Sequence, residues 1–341
     1  MPKSINFLAS AVLAVCGSAN ATETMYVAAW GGDVEKAFRE KIIPGFEAKH
    51  DIKIVYVTGN SSDTLAKLMA QRNKQEISLA FMDEFAMVSA VGAGVCAKVE
   101  DGEHSASLYP SARSSDGKSV ALGFYAAGLV YNTEIFKKNG WNAPTSWRDL
   151  EDKKFAGKLV IPSIASYGQW VLVMQARVNG GGESSIQPGF DAMKRIAPNV
   201  VAWESGSAKI AQMLQTGEAA LAVWGNQRTA ALAGQGVPVK FVYPKEGAVS
   251  AVAAVCPVQG GPQPKAAQAL IQYLLSPEIQ TFLATSNGWG PANKDVKLPP
   301  QAAAKVVYGT DQHSRLVDVD YKVINPNMPN WTNRWNREVE R

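Results

Sequence analysis

Histidine and cysteine are the scarce residues of this 341-residue chain, at three each. His50, His104 and His313 stand apart in polar stretches, without the His-x-x-x-His or paired-cysteine spacing of a zinc site. No metal and no cofactor are therefore expected. Runs of five Lys/Arg are absent too, and 34 basic against 30 acidic residues leave a net charge of only +4. Nucleic acid is excluded as a partner on that ground, because its binders carry clustered positive charge. The chain also lacks a G-x-S-x-G elbow, a Walker loop and a G-x-G-x-x-G following a strand. Gly180-Gly181-Gly182 follows a helical pattern and reads as a loop. An exported hydrolase assembled from scattered Ser, Asp and His residues stays as a minor alternative, with no spacing to support it. No stretch approaches the ~20 apolar residues that span a bilayer as a helix.

What is present starts at the N-terminus. Lys3 supplies a positive charge, Phe7 to Val15 is apolar except for Ser10, and Ala19-Asn20-Ala21 places small residues where a signal peptidase reads. Residues 1–21 are thus expected to be a signal peptide cleaved after Ala21, the competing reading being a buried N-terminal helix. A lipid anchor on Cys16 is disfavoured by the bulky Val15 before it. Export leaves Cys96 and Cys256 in an oxidising compartment, as a disulfide or as two buried thiols; both remain open.

Beyond the signal, 46% hydrophobic content describes an ordinary folded chain. Its length exceeds the ~250–300 residues at which single cores stop growing, so two lobes are expected. Strand patterns at 25–29, 52–57 and 77–82 alternate with helical ones at 34–49, kinked at Pro44, and 63–72. Such alternation predicts a mostly parallel sheet flanked by helices, with ligands at loops after the strand ends. Those loops are 30–33, 58–62 and 83–85. Val120 to Tyr131 is long and apolar enough to cross between lobes, and 247–256 reads as a return strand. A second set has strands at 158–161, 200–203, 219–224 and 239–243. Helices are expected at 169–178, at 208–215 closed by Gly217, at 264–275, and around Trp331 and Trp335.

Several stretches, in this order, resemble the bacterial extracellular solute-binding proteins of ABC importers, in the group that includes polyamine and ferric-iron binders. They are Gly128-Leu129-Val130-Tyr131-Asn132-Thr133-Glu134, the segment Trp141 to Leu150, Phe155-Ala156-Gly157-Lys158, Pro244-Lys245-Glu246-Gly247-Ala248 and Leu274-Leu275-Ser276-Pro277-Glu278. The resemblance implies the α/β, two-lobed periplasmic-binding-protein fold (type II). Residues 22–127 with 249–308 would form lobe 1, and 128–248 with 309–341 lobe 2. It further implies closure on a small-molecule solute and docking on an inner-membrane permease with its ATPase, while the export signal and the missing catalytic constellation lead to the expectation of a periplasmic monomer without enzymatic activity.

Candidate ligand contacts follow the strand ends. Trp30 and Gly31 close the first strand pattern, Ser61 and Ser62 precede a helix, and Asp83 ends the third strand. Trp30 either faces the ligand or packs between sheet and helix; the serines and Asp83 either touch ligand or cap helices. Tyr125 lies on the crossing strand, facing the cleft or the core. Ser166 with Tyr167, and Glu204 with Ser205-Gly206, form turns whose N–H groups suit acceptor-rich ligand atoms. Trp224 aligns with a family position that stacks on ligand, and Asn226 and Arg228 follow it. Arg228 can grip a carboxylate in a bidentate pair. Where polyamine binders place an aromatic and an acid, this chain has Val249-Ser250-Ala251-Val252-Ala253, and no two of its tyrosines are adjacent as in ferric binders. The expected ligand is therefore a small polar or zwitterionic organic solute, with polyamine or ferric iron as the alternative.

Overall fold

In the computed structural model, residues 23–204 and 206–340 are described; the expected signal and its cleavage site lie outside them. The apolar runs become strands: β1 (Glu23–Ala29), β2 (Ile52–Thr58), β3 (Leu79–Asp83), β4 (Val120–Asn132), β5 (Leu159–Pro162), β6 (Val200–Glu204), β7 (Leu221–Gly225), β8 (Val239–Val242) and β9 (Ala248–Pro257). Two short ones, β10 (Gly290–Pro291) and β11 (Leu316–Val317), complete the set. The strand order is β2-β1-β3-β9-β4-β7-β5-β6, with β8 and β10 on β4 and β11 on β9. Outer pairs β1–β2, β1–β3, β5–β6 and β5–β7 are parallel, as strand–helix alternation requires. Every pair that β4 or β9 makes with β3, with β7, with β8 or with the other is antiparallel.

These two crossing strands are the longest among the described residues. All ten residues of β9 are buried, so no polar alternation appears along it. The core divides where the strands cross. One cluster uses Met25 to Ala126, Ala248 and the returning residues Val252 to Val307. A second gathers residues from Ala127 to Val223, adds Val249 and Ala251 from β9, and ends with Val319 to Val339. A third cluster packs Val130, Val160 and Leu214 around Trp224.

The first helical run differs from expectation. Residues 33–47 form α, π and α segments in sequence, with the π segment at Phe38–Ile42 and Pro44 in the first turn of the last segment. Pro44 thus sits where its missing N–H costs least, and the irregularity lies ahead of it. The stretch after Asp83 is not a loop but opens the helix Glu84–Gly92 directly. Helices Asn226–Gly234 and Pro277–Asn287 likewise follow β7 and the helix Pro264–Leu275 with little or no linker. Gly217 closes its helix with φ of 78°, as expected.

Cys96 and Cys256 form a disulfide, their Cα atoms 5.7 Å apart and 160 residues separated in sequence. It ties the end of β9 to Cys96 within the first core, beside Met87. Replacing both cysteines by serine removes a constraint on a very long loop of the unfolded chain. The expected loss is about 2–5 kcal/mol, read as a lower midpoint in denaturant under non-reducing conditions; an unchanged midpoint would show that the bridge does not stabilise the fold.

Candidate ligand-binding site

Three strand ends deliver the first half of the site. β1 ends at Ala29 and presents Trp30; Gly32, with φ of 69°, turns the chain into the following helix. A Cβ on Gly31 would lie 3.0 Å from the Thr58 methyl, so the turn lies tight against the end of β2. Helix Ser61–Ala70 follows β2, and its N-terminus is capped by Asn60 in a reciprocal box with Asp63. Ser61 is therefore free of capping duty. Its hydroxyl donates to Asp83 Oδ2 at 2.6 Å and accepts from the Asp83 N–H at 2.9 Å. Trp30 Nε1 donates to Ser61 Oγ at 3.0 Å and to Asp83 Oδ2 at 3.3 Å.

Asp83 itself occupies the N-cap position of helix Glu84–Gly92 without a side-chain cap bond. Its carboxylate points instead to Ser61, Trp30 and, through Oδ1, to the Tyr125 hydroxyl at 3.4 Å. Trp30 is further fixed by its carbonyl, which accepts from Tyr56 at 2.6 Å, and by edge contact with Trp289 at 5.7 Å. Neither a pure core Trp nor a plain helix cap describes these residues. Trp30, Asp83 and Tyr125 stay half-buried around the buried Ser61, in one hydrogen-bonded unit.

The second lobe supplies the other half. After β5 the chain makes a single π turn, Ile164–Gly168, in which Ser166 leaves helical geometry. Tyr167 follows, stacked on Trp170 with ring centroids 4.4 Å apart. Arg228 and Gln227, from the helix Asn226–Gly234, act on its hydroxyl, and so does Asp83 across the lobes. Burial raises the Tyr167 and Tyr125 hydroxyls above the usual phenol range; Arg228 opposes that rise at both, and Asp83 reinforces it. Both phenols thus lie in the field of one carboxylate and one guanidinium, and both are neutral donors at physiological pH.

Other expected contacts fall elsewhere. Trp224 is 4% exposed and belongs to the third core cluster, its Nε1 on Ser207 Oγ at 3.4 Å. Its expected stacking face is occupied by protein, because alternation along β7 turns it into the core. Asn226 is buried, and its Oδ1 accepts from the Ala126 N–H at 2.8 Å, which ties this helix to β4. Glu204 ends β6 half-buried, its carbonyl holding Ser163 N–H at 3.1 Å, with no bond to the Asp83 unit among the described residues. Ser205 beside it is not described.

Sequence reasoning misses Tyr321. It opens the C-terminal helix Tyr321–Glu338, is buried, and accepts from Trp170 Nε1 at 2.8 Å. Burial lifts its hydroxyl well above the usual phenol range, and Glu84, Asp83 and Tyr167 raise it further. Only its apolar spacing from Ile324 is visible in the sequence, and that points to a core. Adjoining Arg228, a cavity of about 930 Å³ opens between the helix Asn226–Gly234 and lobe-1 residues including Asp33, Asn287 and Trp289. Among the described residues, no cluster of His, Cys, Asp and Glu suits a metal ion.

Comparison with known proteins agrees with this architecture. The family described as bacterial extracellular solute-binding protein matches residues 41–309. A putative 2-aminoethylphosphonate-binding periplasmic protein of Salmonella typhimurium is 28% identical over 209 residues, 60% of this chain and 57% of that one. The spermidine/putrescine-binding periplasmic protein of Escherichia coli is 24% identical over 163 residues, 47% of this chain and 46% of its own. The chain thus spans about half the length of these two relatives. A crystal structure of an ABC transporter protein from Clostridium perfringens superposes with a TM-score of 0.83 at 25% identity, covering 92% of this chain and 99% of that one. With two lobes, crossing strands and a family match over most of its length, the chain belongs to the bacterial extracellular solute-binding proteins, the solute-binding components of ABC importers.

Proposed function

We propose that the protein is a non-enzymatic periplasmic monomer that closes its lobes on a small zwitterionic solute and hands it to a permease and its ATPase. In this reading the signal is removed after Ala21, and the lobes are 22–127 with 249–308 and 128–248 with 309–341. The division of the core at Ala126/Ala127 supports the limit on β4, whereas on β9 Val249 and Ala251 pack with the second cluster, past the 248/249 limit. The observation that carries the ligand class is one carboxylate, Asp83, set across two neutral phenols from one guanidinium, Arg228. Asp83 suits a single ammonium group; Arg228 and the Tyr167 hydroxyl suit a carboxylate or phosphonate. A relative named for 2-aminoethylphosphonate, which joins one ammonium to one phosphonate, fits that charge count.

A polyamine does not. Each buried ammonium costs several kcal/mol of desolvation unless a carboxylate faces it, and Glu204 stands outside the Asp83 unit. Ferric iron has one observation in its favour: the hydroxyls of Tyr125, Tyr167 and Tyr321 act on one another and all feel Asp83. The two readings are separable by spectroscopy.

At a concentration 100 times its dissociation constant, 2-aminoethylphosphonate or a related amino acid is expected to stabilise the protein by about 2.7 kcal/mol, seen as a thermal shift. Spermidine should give none, and ferric citrate no tyrosinate charge-transfer absorption. A large spermidine shift abolished by Asp83→Asn or Glu204→Gln would establish the polyamine reading instead. Arg228→Ala should weaken the zwitterion at least about tenfold, or 1.4 kcal/mol, with unchanged melting of the free protein. Binding should also lower the radius of gyration, as the lobes turn about Tyr125 and Ser250, which lie one register step apart on β4 and β9. Scattering that does not change with saturating ligand would refute the hinge.

A further inference from the structure

Besides the Asp83 unit, the lobes meet along a second seam. Helix Glu84–Gly92 packs into the first core through Ala86, Met87 and Ala90, and the C-terminal helix into the second through Ile324, Trp331 and Trp335. Asn325 stitches them together, donating to the Phe85 carbonyl at 2.8 Å and to Ser89 Oγ at 3.0 Å. Beside these bonds lies a cavity of about 540 Å³, lined by Val88 and Val252 and, from the second-lobe segment, by Asp318 and Lys322.

Glu84 opens the first of these helices and lines that cavity. Among the described residues its carboxylate accepts no hydrogen bond and pairs with no cation. Asp83, its neighbour, is committed to Ser61 and Trp30. Asp318 across the seam is the charge that acts on Glu84, and it has the same sign. The Tyr321 hydroxyl is neutral and bonded to Trp170. Of the other charges lining the cavity, Arg113 is paired with Asp101 at 2.8 Å and Asp116 holds Ser114 and the Lys118 N–H. Lys118 and Lys322 complete the lining without bonding Glu84.

We propose that Glu84 is a proton-operated latch between the lobes: uncharged, it lets the two helices stay docked, and ionised, it is driven out by desolvation and by Asp318 and loosens the seam. The sign follows from linkage. Partial burial first, and Asp318 second, raise the docked carboxyl from 4.5 to about 8, while an undocked, fully solvated one returns to its ordinary range. Docking therefore takes up a proton. Between those two limits each unit of falling pH favours the docked over the released arrangement by about tenfold, and the preference is lost as pH rises through about 8. The latch is independent of which solute the cleft takes.

The test uses the full mature chain without ligand, by small-angle scattering over a pH range bracketing that midpoint and by the ¹³C shift of the Glu84 carboxyl. The expected result is an increase in radius of gyration and a Glu84 midpoint that coincide near pH 8. Glu84→Gln should remain docked throughout, and Asp318→Asn should lower the midpoint without abolishing it, since burial persists. Asn325→Ala should widen the lobes at every pH and bring the Glu84 midpoint down. A wild-type protein with constant dimensions over this range, a Glu84 midpoint in the ordinary carboxylate range, or a Glu84→Gln variant that keeps the transition would each overturn the latch. Should Glu84→Gln not fold, the wild-type carboxyl midpoint and Asp318→Asn decide the matter alone.

Discussion

A carboxylate half withdrawn from water must be met by donors, and at the end of β3 that requirement organises the mouth of the sheet. Asp83 draws in the Ser61 hydroxyl, the Trp30 indole N–H and, more distantly, the Tyr125 hydroxyl, each from a different part of the chain. A different residue, Asn60, caps the helix that starts at Ser61, which leaves the serine available for this task. The unit is preorganised before any solute arrives, and Oδ1 carries only the long contact to Tyr125. On the reading proposed above, that oxygen is where a ligand ammonium would gain most, because the competing bond is weakest there.

The second constraint is mechanical. β4 and β9 lie side by side through both cores, so any motion of one lobe against the other bends this pair. A register shift between Ala121 and Gly123 interrupts their ladder on the first-lobe side. Such an irregularity is a natural place for local bending. Gly123 has its own reason to lack a side chain: a Cβ there would meet Trp289 at 2.6 Å, and Trp289 in turn braces Trp30. The Asp83 unit and the crossing strands thus share packing, which on the proposed reading would couple occupancy of the cleft to the angle between the lobes.

Much of this is readable from the residues in order. The long apolar runs announce both crossing strands, and alternation with helical patterns announces the parallel outer sheets, because burial on both faces leaves a continuous apolar signature. Asp83, Ser61 and Trp30 stand at strand ends, where an α/β sheet gathers its chemistry. The helix Glu84–Gly92 is hidden because its Ala, Ser and Gly residues show almost no amphipathic period. Trp224 misleads because a strand's last residues do not declare which face they turn to; its family position suggests ligand, while packing against Val160 and Leu214 claims it for the core. Tyr321 enters the site only through the fold, far beyond Tyr125 in the chain. The cysteine pairing depends on a distance that no spacing encodes, and the structure supplies it.

The lobes, the hinge and the charge pair converge on one claim: a single solute lies between Asp83 and Arg228, touching both lobes at once. A crystal structure of the protein with 2-aminoethylphosphonate, or with the zwitterion that a screen finds to bind best, tests it most directly. The account predicts the ammonium group within hydrogen-bond distance of Asp83 and the anionic group on Arg228 and Tyr167, with Ser61 and Trp30 still bonded to the carboxylate. A solute held by one lobe alone, or lodged away from an undisturbed Asp83 unit, would contradict it.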